Sequence, residues 1–217
     1  MPQFDEARRV MVDNQIRTFD VTDRDVLSAF DHVPRHVFVE QSDVPLAYSD
    51  ARLAVSGAAV TRPLLQPLVL ARLIQALAPQ SGEKALDCFG GLGYSAALLA
   101  HMGLNVSAYE ADSGLATRAS ERLATQTRGV SMLPSDGVGP QTGQFDVILV
   151  NGAVEAEPSA LLALLADGGR LGVIVRQGKA AQARVFLRTG QAVSSRFAFD
   201  AQAPVLPGFT PAPSFVF

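Results

Sequence analysis

The sequence predicts an α/β fold built on a doubly wound, mostly parallel sheet, and three observations carry that prediction. First, from Glu83 onward short apolar runs alternate with helix-length segments: Lys84 to Cys88, Tyr94 to Met102, Asn105 to Glu110, Gly114 to Thr125, Val130 to Leu133, Phe145 to Val150, Pro158 to Ala166 and Arg170 to Val175. Such alternation places parallel strands in one sheet, helices on its faces and a ligand at the carboxyl ends of the strands. Second, the apolar run from Lys84 ends at Asp87 and Cys88, then Gly90, Gly91 and Gly93 fall within four residues before the helical Ser95-Ala-Ala-Leu-Leu-Ala100. Glycines in a strand-to-helix turn let backbone N–H groups and the helix N-terminus approach a polar ligand closely. Third, Asn105 to Tyr109 reads as a second strand ending in Glu110, near where an α/β nucleotide site keeps its ribose-binding acid. Turn and acid together point to an adenosine-bearing ligand, without separating a dinucleotide from S-adenosylmethionine.

The segments on either side read as follows. Over residues 4 to 16 apolar residues recur at Phe4, Ala7, Val10, Met11 and Ile16, close to the helical period. Thr22 stands three residues before Asp25 and opens Val26-Leu-Ser-Ala-Phe30 like a capping box with Asp in place of Glu, and Pro34 stops that helix. These helices read as an N-terminal cap over one end of the sheet. Residues 46 to 67 are interrupted by Gly57, Pro63 and Pro67 and read as a loop, the kind of long irregular stretch that more often forms a lid or binding loop than filler. Leu68 to Leu77 follows as an apolar helix with Pro67 suited to its first turn. Beyond Val175, Ala183 to Arg188 and Ala192 to Phe199 read as an antiparallel hairpin at the sheet edge, turning at Thr189-Gly190. The tail, with Pro204, Pro207, Pro211 and Pro213 before Phe215-Val-Phe217, reads as extended and anchored. The expected division is a helical cap and acceptor-side loop over 1–80 and a core with C-terminal hairpin and tail over 81–217.

Composition narrows the function classes. A chain of 217 residues, 48% hydrophobic and 18% charged, suits one ordinary domain with a modest extension. No apolar run reaches the roughly eighteen residues of a membrane-spanning helix, so no membrane role is expected. The net charge of -3 and the lack of a Lys/Arg stripe argue against a nucleic-acid partner. The single cysteine, Cys88, rules out an internal disulfide framework, and the N-terminus lacks a basic-then-apolar signal segment, so the cytoplasm is the expected compartment.

Six stretches together are specific: Met11-Val-Asp-Asn-Gln-Ile-Arg17, Val33-Pro-Arg-His-Val-Phe-Val39, Ala47-Tyr-Ser-Asp50, Asp87 through Ala100, Ser135-Asp-Gly137 and Phe145-Asp-Val-Ile-Leu-Val150. In these the chain resembles the protein-L-isoaspartate O-methyltransferase family, divergent bacterial members in particular. The resemblance implies a Rossmann-like fold, S-adenosylmethionine as cofactor, and methyl transfer to a protein or peptide carboxylate, that of a damaged aspartyl residue. By motif matching it implies a cofactor site of Asp87, Phe89, Gly90, Gly91, Gly93, Glu110, Asp136 and Gly137. In that set Asp87, Gly91 and Gly93 line the methionine end, Glu110 binds the ribose and Asp136 lies near the adenine. Asp136 reads equally as a turn aspartate before Gly137. The chemistry asks for no His or Cys nucleophile, because a carboxylate is already ionised near neutral pH and positioning alone supplies roughly 7–11 kcal/mol.

Two positions depart from the family pattern. The family carries a Thr-Ile-Ser-Gln-Pro segment whose serine sits at the acceptor site. Counted back from the glycine turn without a gap, Leu64-Leu65-Gln66-Pro67 takes its place and the serine becomes Leu65. Counted forward from Gly57, Val60-Thr61-Arg62-Pro63 takes it and the serine becomes Thr61. Phe89 stands at the first glycine of the family's turn, where its ring either enters the methionine pocket or turns into the core. These departures keep open a second function, a non-catalytic protein of the same fold acting as a binding or assembly subunit. A nicotinamide dehydrogenase would use the same glycines and Glu110 but leaves the N-terminal stretches and Ser135-Asp-Gly137 unexplained. A base-amino methyltransferase would carry a Pro-Pro-aromatic run where this chain has Asn151-Gly-Ala153.

Overall fold

The computed structural model describes residues 2–210. The chain begins with helices and helical turns that run as far as Leu46. Helix α1 (Pro2–Met11) continues through a π-helical turn (Val12–Ile16) and a 3-10 turn (Arg17–Phe19), where Asp20 turns left-handed and ends the run. Helix α2 (Arg24–His32) buries Val26, Leu27, Ala29 and Phe30 and stops at Val33, whose extended backbone precedes Pro34. Its cap is Asp23 rather than Thr22. The Asp23 carboxylate accepts from the amides of Asp25 and Val26 at 2.9 and 3.1 Å, and Thr22 instead donates its own amide to Gln75 on a later helix.

Residues 46 to 67 are not the plain loop expected of them. Strands β1 (Ala54–Ser56) and β2 (Thr61–Pro63) pair antiparallel, Val55 opposite Arg62, as a separate two-stranded ribbon. Helix α3 (Pro67–Leu77) follows, with Pro67 at its start and Leu70, Leu73, Ile74 and Leu77 facing the core.

The main sheet has seven strands. In chain order these are β3 (Lys84–Cys88), β4 (Asn105–Tyr109), β5 (Val130–Met132), β6 (Phe145–Val154), β7 (Leu165–Gln177), β8 (Ala180–Thr189) and β9 (Ala192–Asp200). Their spatial order is β5-β4-β3-β6-β7-β8-β9, parallel from β5 to β7 and antiparallel through β8 and β9. The doubly wound sheet with an antiparallel edge hairpin and an N-terminal helical cap is therefore the fold observed. Helix α4 (Tyr94–His101) links β3 to β4, and α5 (Ser113–Gln126) links β4 to β5. The helix expected over 158 to 166 shrinks to one turn, α6 (Ser159–Leu162), because β7 already begins at Leu165. After β9 the chain returns beside β6. Ala153 donates its amide to Pro204 and accepts that of Leu206, each at 2.8 Å, and Leu206 is buried against Gly152. The expected anchoring therefore holds up to residue 210; Pro211, Pro213 and Phe215 to Phe217 lie outside the described residues.

Parallel register decides where the site falls. Cys88 is level with Tyr109 on one side and with Val150 on the other. The next residue on each strand, Phe89, Glu110 and Asn151, therefore comes to the same carboxyl edge. The order of connection reverses between β3 and β6, which makes this edge a topological switch point.

Candidate functional site

Asp87 anchors the edge. It is 1% exposed, and its carboxylate accepts from Ser95 Oγ at 2.8 Å and from Asn151 Nδ2 at 2.7 Å. Asn151 Nδ2 also donates to the Cys88 carbonyl at 3.0 Å, tying the end of β6 to that of β3. Burial pushes the Asp87 carboxyl up to about 6, with the Glu110 charge adding to the rise and the two side-chain hydrogen bonds opposing it. Gly90 is required by this network itself, since a Cβ there would collide with the Asp87 carboxylate and lie 2.7 Å from Ser95 Oγ.

Phe89 takes a left-handed backbone at φ +60°, a conformation costly for a bulky residue. Packing holds it there. Its ring stands edge-on to Tyr109 at 5.5 Å and to Phe209 at 5.8 Å, leaving the residue 7% exposed. Of the two orientations open to it, the ring takes the one directed into the apolar cluster behind β3 and β6.

Glu110 is 2% exposed and receives donors from three directions. The Arg62 guanidinium straddles it, Nη1 donating to Oε1 at 3.0 Å and Nη2 to Oε2. The amides of Gly91 and Asp112 approach it at 3.1 and 3.4 Å. Arg62 Nη2 also donates to the Phe89 carbonyl at 2.7 Å. Arg62 is itself 8% exposed, so this is a buried, bidentate pair whose breakage on one side would cost about 3–5 kcal/mol. Nothing local announces this pairing. Arg62 stands alone in a Pro-rich stretch, and its partner lies 48 residues away.

Asp112, which lies outside the motif stretches, also acts at this edge. It caps α5 through the Leu115 amide at 3.0 Å and accepts the Ala58 and Ala59 amides of the ribbon tip at 2.8 and 2.7 Å. Burial opposes its ionisation, but these backbone donors together hold its carboxyl well below the ordinary range. The polar pattern of a helix N-cap, Asp112 before Ser113-Gly114, was its available signal. Asp136 stands apart: it is exposed on the loop after β5 beside Gly137 and joins none of the buried contacts described among residues 2–210.

Just after the ribbon, Leu65 is buried and its carbonyl accepts from Arg35 Nη2 at 3.2 Å. Arg35, 1% exposed, lies 4.8 Å from the Tyr94 ring centroid, and burial lowers its guanidinium below the usual value. Leu64 presses on the glycine turn; a Cβ on Gly91 would meet its Cδ2 at 2.7 Å.

The polar groups suit an adenosyl ligand: two buried acids at adjacent strand ends, a glycine turn and a helix N-terminus. Between Leu64, Leu65, Phe89, Gly90, Ser95 and Asn151 there remains a cavity of about 10 Å³, on the scale of one water, so Leu64 and Leu65 close the approach to Gly90 and Ser95 on this side.

Comparison with known proteins agrees with the motif reading. The family model described as Protein-L-isoaspartate(D-aspartate) O-methyltransferase (PCMT) matches residues 6–199. Protein-L-isoaspartate O-methyltransferase of Methylorubrum populi is 39% identical over 169 residues, covering 77% of this chain and 78% of the relative. That of Bordetella parapertussis is 38% identical over 207 residues, covering 91% and 76%. Among solved structures, a protein-L-isoaspartate O-methyltransferase superposes with a TM-score of 0.79 at 20% identity, over 94% of this chain and 66% of the other. A Plasmodium falciparum protein assigned as a beta-aspartate methyltransferase (PCMT), in complex with S-adenosyl-L-homocysteine, superposes with a TM-score of 0.75 at 19% identity, over 92% and 97%. The structural matches speak to the fold, while the family model and the curated relatives speak to ancestry. The chain belongs to the protein-L-isoaspartate(D-aspartate) O-methyltransferase family.

Proposed function

We propose that this protein is an S-adenosylmethionine-dependent O-methyltransferase acting on the carboxylate of isoaspartyl residues in proteins or peptides. The observation that carries this reading is the family match over residues 6–199, within which Asp87 and Glu110 keep their places at the carboxyl ends of adjacent parallel strands. S-adenosylmethionine supplies an activated methyl group when bound. The chain's own contribution is to orient and to exclude water: Asp87, Gly91 and Gly93 toward the methionine end and Glu110 toward the ribose. Residues 1–80 serve as cap and acceptor-side wall and residues 81–217 as the cofactor-binding core, with Leu65 making that wall apolar.

The remaining proposals concern setting. No described helix is long and apolar enough to cross a membrane, and no group of three or more metal-ligating side chains occurs among the described residues. With a net charge of -3 and no basic stripe, the partner is a protein or peptide rather than nucleic acid; the single cysteine, Cys88, buried and free, supports the cytoplasm as the proposed compartment.

The test is transfer of labelled methyl from S-adenosylmethionine to a peptide with one isoaspartyl residue, against the same peptide with normal aspartate. Base-labile label on the isoaspartyl peptide alone is the expected result. A protein that binds S-adenosylhomocysteine yet labels neither peptide would refute the isoaspartyl substrate.

A further inference from the structure

We infer that the β1–β2 ribbon is a latch on the cofactor site, and that Arg62 is the internal occupant that a bound nucleoside must displace from Glu110. The inference rests on the proposed use of Glu110 as the ribose-binding acid.

The chemistry of the pair is what suggests competition. A ribose offers one carboxylate two neighbouring O–H donors; the Arg62 guanidinium offers the same carboxylate two parallel N–H donors. With the Gly91 and Asp112 amides also on Glu110, its acceptor sites are filled by the chain itself. Leu64, two residues after Arg62, lies over Gly91, so the same segment that covers the acid also fills the approach to the turn.

Besides Val55, which is buried in the core, the ribbon is fastened at three polar points. At the end of β1, Glu40 accepts the Ser56 amide at 3.0 Å and pairs with Arg118, which donates to the Ser56 carbonyl at 2.7 Å. At the tip, Asp112 holds the Ala58 and Ala59 amides. On β2, Arg62 holds Glu110. The residues between are small or exposed: Ser56, Ala58, Ala59 and Thr61 all face solvent. The ribbon's one fully buried apolar side chain is Val55, beside Gly91; a unit this short, joined to the rest by a few side chains, can open as a unit while the central sheet stays folded. Glu110, by contrast, sits on the central sheet and stays in place when the ribbon lifts. Nucleoside binding and ribbon release are then one equilibrium, and weakening the latch raises apparent affinity by populating the open form.

Calorimetric titration with S-adenosylhomocysteine of the wild type, Arg62→Ala and Leu64→Ala, together with hydrogen exchange of the wild type with and without that ligand, tests this. Arg62→Ala is expected to bind at least tenfold more tightly than the wild type, or to bind where the wild type shows no heat. Leu64→Ala keeps the ion pair and is expected to tighten binding less. In the wild type the Ala58, Ala59 and Arg62 amides are expected to exchange faster with ligand bound. Should Arg62→Ala fail to fold, Leu64→Ala and the wild-type exchange data carry the decision. Unchanged or weaker binding by both variants, or ribbon amides that slow on ligand binding, overturns the latch while leaving the cofactor assignment standing. No heat for any of the three proteins at millimolar ligand removes the cofactor assignment and the latch with it.

Discussion

Replacing Phe89 separates two effects that its position combines. The ring is 7% exposed and packed edge-on between Tyr109 and Phe209, so truncation removes a buried aromatic at about 3–5 kcal/mol. The backbone at φ +60° imposes a second term of about 1–2 kcal/mol on any residue with a Cβ, which glycine escapes. Phe89→Ala is therefore expected to lose about 3–5 kcal/mol and Phe89→Gly about 1–4 kcal/mol once the backbone relief is counted. This inverts the usual order, in which glycine is the worse substitute. Urea unfolding followed by circular dichroism measures both, and at about 2–4 °C per kcal/mol for a chain of this size thermal melts resolve them as well. A glycine variant no more stable than the alanine variant would refute the left-handed assignment. A loss below about 1 kcal/mol in both would refute the buried ring.

Three further outcomes are expected. The ordinary Asp87 value of 3.8 and the folded value of about 6 are separated by about 3 kcal/mol of proton affinity. The folded state holds this proton more tightly than the unfolded chain, so this contribution is fully present below about pH 4, declines as pH rises to about 6 and is level above. Asp87→Asn is expected to flatten that part of the profile; urea midpoints at pH 4.5 and 7.5 that keep the wild-type difference in the variant would contradict the assignment. Asp112→Ala removes the α5 cap, at about 1 kcal/mol, and both tip fastenings of the ribbon, so the Ala58 and Ala59 amides should exchange faster while those of β3 do not. Leu65→Ser trades buried apolar volume for a hydroxyl; it should cost about 2–5 kcal/mol in stability and speed methyl transfer to an isoaspartyl peptide, and a slower variant would favour the register that places Thr61 at the family's serine.

The succession of elements from Lys84 to Val175, and the placement of Asp87 and Glu110 at adjacent strand ends, can be read from local sequence. Both are local: an apolar run, an acid, a cluster of glycines and a helical period are each written within about a dozen residues, and parallel pairing then brings the strand ends together. The motif stretches likewise sufficed for the family. Features whose energy comes from distant partners have no such local signal. Three-residue strands such as β1 and β2 have no periodicity to read, and their ladder survives because Glu40, Asp112 and Glu110 hold it from elsewhere in the chain. Asp23 rather than Thr22 caps α2: Gln75, more than 50 residues away, accepts both the Thr22 and the Asp23 amides and fixes the entering chain so that the Asp23 carboxylate reaches the Asp25 and Val26 amides. Phe89 keeps a backbone its own chemistry disfavours because Tyr109 and Phe209 surround its ring. Arg62 reaches Glu110 because the ribbon folds across the edge of the sheet. The acid was legible as a site for two donors; that the chain supplies those donors itself follows from the close fit of a guanidinium to a buried carboxylate, which only proximity in space brings about.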